Sequence, residues 1–225
     1  MKVLISGSSS GIGLEVAKRF LKEGYMVIGF DLKESKIDDP FYLHYQIDIK
    51  NKEHLPDIDG DIEFIFNNAG LQNSKDDIDN NLKGAINVTE KYAFNKNIKS
   101  VLFNASASAR SGDEFPLYVA SKAGLVGYMK NVAIRLAPYG ATCNSISLGG
   151  VLTSSNDEVI KDKESWNRIM EVTPLKKWAS LEEVTDWVYF LLVTNKSMSG
   201  QDLLIDNGEQ DLTSTFVWPS KALSD

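Results

Sequence analysis

KVLISGSSSGIG, residues 2–13, decides how the chain folds. Lys2 to Ser6 reads as a first strand, apolar at Val3, Leu4 and Ile5. The residues that follow place Ile12, Val16, Ala17, Phe20 and Leu21 on one face of a helix, which Gly24 ends. Between strand and helix stand Gly7, Gly11 and Gly13. Glycine is needed there three times: to turn the chain, to let backbone approach a pyrophosphate, and to pack the helix against the strand. The helix start offers free N–H groups and a favourable dipole to an anion. No lysine follows the last glycine, which excludes a nucleoside-triphosphate loop. Asp31 closes the next strand, Tyr25 to Phe30, at the point where a dinucleotide's ribose would lie.

Beyond this unit the alternation continues. Strands are predicted at Leu43 to Ile47, Ile62 to Phe66, Ser100 to Asn104, Ala141 to Ser147 and Asp202 to Ile205, with helices near 77–95, 116–137, 156–171 and 181–194. Such alternation implies an α/β fold, a doubly wound Rossmann-type parallel sheet of about seven strands with helices on both faces. One dinucleotide-binding domain over 1–225 is expected, with the tail after about 209, including Trp218 and Pro219, irregular.

Apolar residues make up 43% of the 225, as in a globular chain with a sizeable core. With 24 basic against 31 acidic residues and no basic run, nucleic-acid binding is not expected. Neither is a membrane span, since the N-terminal apolar run is only Val3 to Ile5. The lone Cys143 forms no internal disulfide and makes a cytoplasmic location the default. His44 and His54 are isolated, so no metal site is expected. Asp76, Asp77 and Asp79 read as a solvated helix start, and Trp166 and Trp178 as core or substrate contacts.

In YVASK, Tyr118 and Lys122 are four apart and share a helix face. A free phenol, with a pKa of about 10, is a poor base at neutral pH. A nearby ammonium favours the phenolate; a drop of about three units takes roughly 4 kcal/mol, within reach of two close cations in a dry cleft.

The chain resembles the short-chain dehydrogenase/reductase family from its first strand to about Gly208. The resemblance rests on SGSSSGIG, Asp31, Asp48, NNAG at 67–70, NLKG at 81–84, serines at the strand end 104–108, YVASK, NSISLGGVLT at 144–153, SGQ at 199–201 and DNG at 206–208. It implies reversible hydride transfer between a nicotinamide and a carbonyl or secondary alcohol, such as a 3-oxoacyl carrier-protein or similar ketone. The alternative is a nucleotide-binding regulatory protein of the same fold without turnover. By resemblance Tyr118 is the general acid/base, Lys122 lowers its pKa and holds the nicotinamide ribose, and Asn81 holds a proton-relay water. Ser106 orients the substrate oxygen, with Ser108 as its competitor, because Ser106 precedes Tyr118 by twelve positions and not the usual thirteen. The cofactor would meet Gly7, Ser9, Ser10, Gly11, Ile12, Gly13, Asp31, Asp48, Ile49, Asn68, Ala69, Gly70, Gly149, Val151 and Thr153.

Asp31 favours NAD(H) over NADP(H), and Ser10 stands where NADP-preferring relatives often carry a cation; Lys33 is the nearby base. Leu148-Gly149 replaces the usual Pro-Gly. Only ten residues separate Gly70 from Asn81, about half the family's usual length. Assembly as a homotetramer, or else a dimer, is expected through helices 81–96 and 116–137, with Tyr128, Met129 and Leu136 exposed on the second.

Overall fold

The computed structural model describes residues 1–212, so Trp218 and Pro219 lie outside the described residues. Seven strands form one sheet: β1 (Lys2–Ser6), β2 (Met26–Asp31), β3 (Tyr42–Gln46), β4 (Phe64–Asn67), β5 (Ser100–Asn104), β6 (Thr142–Leu148) and β7 (Asp202–Ile205). Their order is β3-β2-β1-β4-β5-β6-β7 and every pairing is parallel. The order reverses between β1 and β4, so a crevice opens beyond their C-terminal ends, where open α/β sheets take ligands.

The α-helices among the described residues are α1 (Gly11–Lys22), α2 (Ala85–Tyr92), α3 (Ser108–Ser111), α4 (Pro116–Leu136), α5 (Asp157–Lys161), α6 (Lys163–Val172) and α7 (Leu181–Tyr189). Successive strand residues point to opposite faces, and β1 shows it: Leu4 joins the core beneath α2 and α4, while Val3 and Ile5 join the one beneath α1 and α7. Phe103, Val88 and Met129 fill the first layer, and Phe20, Val184 and Leu191 the second.

Several predicted helices are resolved more finely. The stretch 77–95 is a wide, five-residue-step turn at Ile78–Gly84 leading into α2. The stretch 156–171 divides at Asp162, whose carboxylate accepts from the Ser165 amide and so starts α6. In α7, Ser180 and Glu183 form a reciprocal capping box. Met129 and Leu136, expected on the outside of α4, are fully buried, whereas Leu117 and Ile134 are exposed. Trp178 is buried with the Trp166 ring edge-on at 5.2 Å, which favours the core reading of the pair.

The opening turn is built as its glycines require. Gly7 adopts a left-handed φ of 71° and donates its N–H to the Phe30 carbonyl at 2.7 Å. At Gly13 a Cβ would sit 2.0 Å from the Gly7 carbonyl oxygen. That obstacle is backbone, so Gly13→Ala must push α1 off the sheet. A loss of about 1–3 kcal/mol in denaturant unfolding is expected, and an unchanged midpoint would refute this account of the turn.

Candidate active site

Four segments converge at the switch point. The first is the glycine turn, tied to β2 by Asp31: its Oδ2 accepts from the Ser9 amide and its Oδ1 from the Lys33 amide, both at 2.9 Å. Ser10 is the extended residue before α1, Gly11 opens the helix and Ile12 lies half-buried on it. Thr153, after β6, reaches this turn, its Cγ2 lying 4.0 Å from the Cβ position of Gly11.

The second segment is Asn67–Gly70, after β4. Asn68 donates through Nδ2 to the carbonyls of Ser6 and Gly7 at 3.1 and 3.2 Å, and Ser6 Oγ accepts from the amides of Asn68 and Ala69. A Cβ on Gly7 would lie 2.9 Å from Ala69 Cα, so the loop and the turn are in contact. Asn81, in the wide turn, grips the next residue: its Oδ1 accepts from the Leu71 amide at 2.7 Å and its Nδ2 donates to the Leu71 carbonyl and to Ser121 Oγ. The Cβ position of Gly70 lies 3.1 Å from Asn81 Oδ1 and 3.5 Å from Lys122 Nζ, which puts all three together.

The third and fourth segments carry Ser106 and Ser108 beyond β5 and Tyr118 and Lys122 on α4. Lys122 is buried and donates from Nζ to the Asn104 carbonyl at 2.6 Å; the same Nζ lies 5.6 Å from the Tyr118 ring centroid. Burial pushes the Lys122 amine down to about 8, against the pull of the Asp77 and Glu114 carboxylates. Burial also pushes the Tyr118 phenol up to about 12, with hydrogen bonding to Ser106 acting the other way and Glu114 and Asp77 adding to the rise. The downward shift expected from the sequence calls for two cations, Lys122 and an oxidised nicotinamide; burial of the phenol works against it. Ser106 is the serine turned to Tyr118, while Ser108 donates its hydroxyl to Ser106 Oγ at 2.9 Å. The arrangement can hand a proton to an oxygen held between Tyr118 and Ser106.

The remaining sites are placed differently. Asp48 caps its own turn by accepting from the Lys50 amide at 3.0 Å. The side chains of Ile49 and Val151 belong to the core, Ile49 against Gly84. Gly149 presses on Asp206, where a Cβ would lie 2.7 Å from the Asp206 Cβ.

Two residues beside the site had no signal that marked them. Asn104 acts through its backbone carbonyl, which any residue type supplies. Asp77 is fully buried, not solvated, and both its oxygens accept from the Ser74 amide at 3.2 Å. Its burial corrects the solvated reading at Asp77, while Asp76 and Asp79 are partly exposed.

Among the described residues, no cluster of His, Cys, Asp or Glu could hold a metal and no helix is long and apolar enough to cross a membrane. A dinucleotide fits the site: glycines line a cradle that side chains would fill, and Asp31 stands beside it.

The family profile described as enoyl-(acyl carrier protein) reductase matches residues 7–210. An L-xylulose reductase of Caenorhabditis elegans is 29% identical over 92% of this chain and 94% of its own length. A 3-oxoacyl-(acyl-carrier-protein) reductase FabG of Buchnera aphidicola is 27% identical over 91% of this chain and 95% of its own. Among solved structures, 4-hydroxyisoleucine dehydrogenase complexed with NADH superposes with a TM-score of 0.83 at 26% identity, covering 94% of this chain and 99% of that one. ElxO with NADP bound gives 0.82 at 26% identity, covering 92% and 98%. The chain belongs to the short-chain dehydrogenase/reductase family of nicotinamide-dependent oxidoreductases.

Proposed function

We propose that this oxidoreductase reduces a small carbonyl compound, or oxidises the matching secondary alcohol, with NAD(H). A 3-oxoacyl thioester is one candidate class, in keeping with the relative named for that activity. One observation carries the reading: the half-buried Tyr118 lies against Ser106 with the buried Lys122 amine 5.6 Å from its ring, beside the cofactor cradle. When bound, the nicotinamide supplies or accepts the hydride. Ser106 orients the substrate oxygen, and Ser108 holds Ser106 by donating to it. Because burial keeps Tyr118 protonated, it starts as the acid that reduction needs, and passes its proton to the carbonyl oxygen as the hydride arrives at carbon. The Lys122 charge then stabilises the tyrosinate, and Asn81 braces the loop beside Nζ on the proton path.

Asp31, held by the Ser9 and Lys33 amides, supports the choice of NAD(H). The Asp31 carboxylate, held by two amides, keeps lone pairs for ribose hydroxyls. A 2′-phosphate at ~4 Å would meet a repulsion of about 4 kcal/mol per pair of unit charges at an effective dielectric near 20, lessened by solvent. Asp48, Ile49, Gly149, Val151 and Thr153 complete the cofactor's surroundings in this reading, mostly through backbone. The assembly proposed is a homotetramer, or else a dimer, through 81–96 and α4; Ile134, 75% exposed on α4, supports it.

Tyr118→Phe is expected to lower turnover by about 100- to 10,000-fold with NADH binding intact. Ser106→Ala should lose a comparable factor and Ser108→Ala much less; near wild-type turnover in Tyr118→Phe would sink the assignment. Asp31→Ala should narrow the ratio of kcat/KM between NADH and NADPH, and a native preference for NADPH would defeat the cofactor reading. Sedimentation at micromolar concentration should find an oligomer; a monomer alone would refute the assembly.

A further inference from the structure

β3 is the edge strand beyond β2, and two of its side chains belong to no motif used so far. Tyr42 lies across Gly29 of β2: a Cβ on Gly29 would fall 2.0 Å from the Tyr42 hydroxyl. The absence of a side chain there lets the phenol pass over the strand and donate to Ser8 Oγ, inside the glycine turn, at 2.8 Å. The same hydroxyl lies 3.3 Å from His44 Nδ1, and the two rings stack at 6.0 Å. His44 Nε2 lies 2.9 Å from the Lys33 carbonyl. A carbonyl can only accept, so Nε2 carries the proton of that bond and Nδ1 accepts; the single Tyr42 hydroxyl proton is then shared between Ser8 Oγ at 2.8 Å and Nδ1 at 3.3 Å. The Lys33 carbonyl also accepts from Ser9 Oγ at 3.3 Å, and the Lys33 amide donates to Asp31.

These bonds close a ring that runs from Ser8 through Tyr42 and His44 to Lys33, and back by Asp31 and Ser9. The turn it braces is otherwise open to water, with Leu32 and Lys33 both exposed. We propose that Tyr42 and His44 are positioning residues for the adenosine half of the cofactor, a hydroxyl–imidazole link that locks the glycine turn to the Asp31–Lys33 turn so that the Asp31 carboxylate is held ready for the ribose. The proposal rests on the reading of Asp31 given above. Burial raises the Tyr42 phenol above its usual value, so it remains a donor through the neutral range. Neither residue touches the reacting atoms, and their effect belongs to nucleotide affinity, not to the chemical step.

The test uses the whole protein with Tyr42→Phe and His44→Phe, which keep a ring and remove the bonds. Titration calorimetry with NADH and with ADP-ribose should show about five- to tenfold weaker binding in each variant, the scale of one or two lost hydrogen bonds. The KM for NADH should rise with it, while kcat at saturating NADH stays within twofold and the melting temperature holds. A general loosening would instead lower kcat and melting temperature together, and that result overturns the positioning role. So does an NADH affinity within twofold of wild type in both variants when Asp31→Ala weakens it. If Asp31→Ala also leaves ADP-ribose binding unchanged, the ribose assignment fails and the link falls with it.

Discussion

The contact between the Gly13 α-carbon and the Gly7 carbonyl, too close for any side chain, is the constraint on which the molecule rests. It brings α1 down against β1 so that the helix start aims its amides into the crevice. It also leaves Gly7 free to touch Ala69 and Asn68, and through them the end of β4. From Asn68 the link passes to Asn104, whose Nδ2 donates to Asn68 Oδ1 at 3.0 Å, and from the Asn104 carbonyl to Lys122. A backbone contact at residue 13 is thus joined by polar side chains to an amine more than a hundred residues later. Gly7, Asn68 and Asn104 stand at the C-terminal ends of β1, β4 and β5, which is why the order of the sheet matters to the chemistry.

Burial acts on the two central groups in a common direction. It disfavours charge, and so raises the Tyr118 phenol and lowers the Lys122 amine, moving both toward their neutral forms. The carboxylates of Asp77 and Glu114 oppose this at Lys122 and reinforce it at Tyr118. Together they favour a protonated phenol beside a protonated amine. The enclosure thus makes the phenol hold its proton more tightly and the amine hold its own less tightly. A low-dielectric enclosure also makes each remaining charge count for more when the proton leaves Tyr118.

Much of this was legible in the residues. The strand, the glycines and the acid at 31 are features of backbone sterics and pattern, which a sequence carries directly, and the strands lie within one or two residues of their predicted bounds. Tyr118 and Lys122 were found because helical spacing fixes their common face. What escaped notice depends on tertiary enclosure. Asp77 looks like any acid at a helix start, and only the packing around it buries it. Met129 and Leu136 have the same apolar character as Ile134, and the rotation of α4 against the sheet decides which two are core. The rise of the Tyr118 phenol depends on how much water is excluded around it, a sum over neighbours that no local motif records.

The wide turn at Ile78–Gly84 governs where the chain can tolerate a change of length. It takes five residues per hydrogen-bonded step where an α-helix takes four, so it holds an extra residue within an otherwise regular helix. Downstream, Ala85, Val88, Thr89 and Tyr92 are locked into the core. Within it, Asn81 is locked onto Leu71 and Ser121. Deleting one residue here would restore a regular helix and rotate everything before the cut by about 100°, taking Asn81 off its partners or α2 off the sheet. A few residues earlier, Gln72 and Asn73 lie exposed, and an insertion there disturbs no such phase. Within some fifteen residues, therefore, the same chain has a stretch that can drift in length and a stretch whose residue count is fixed by angular register.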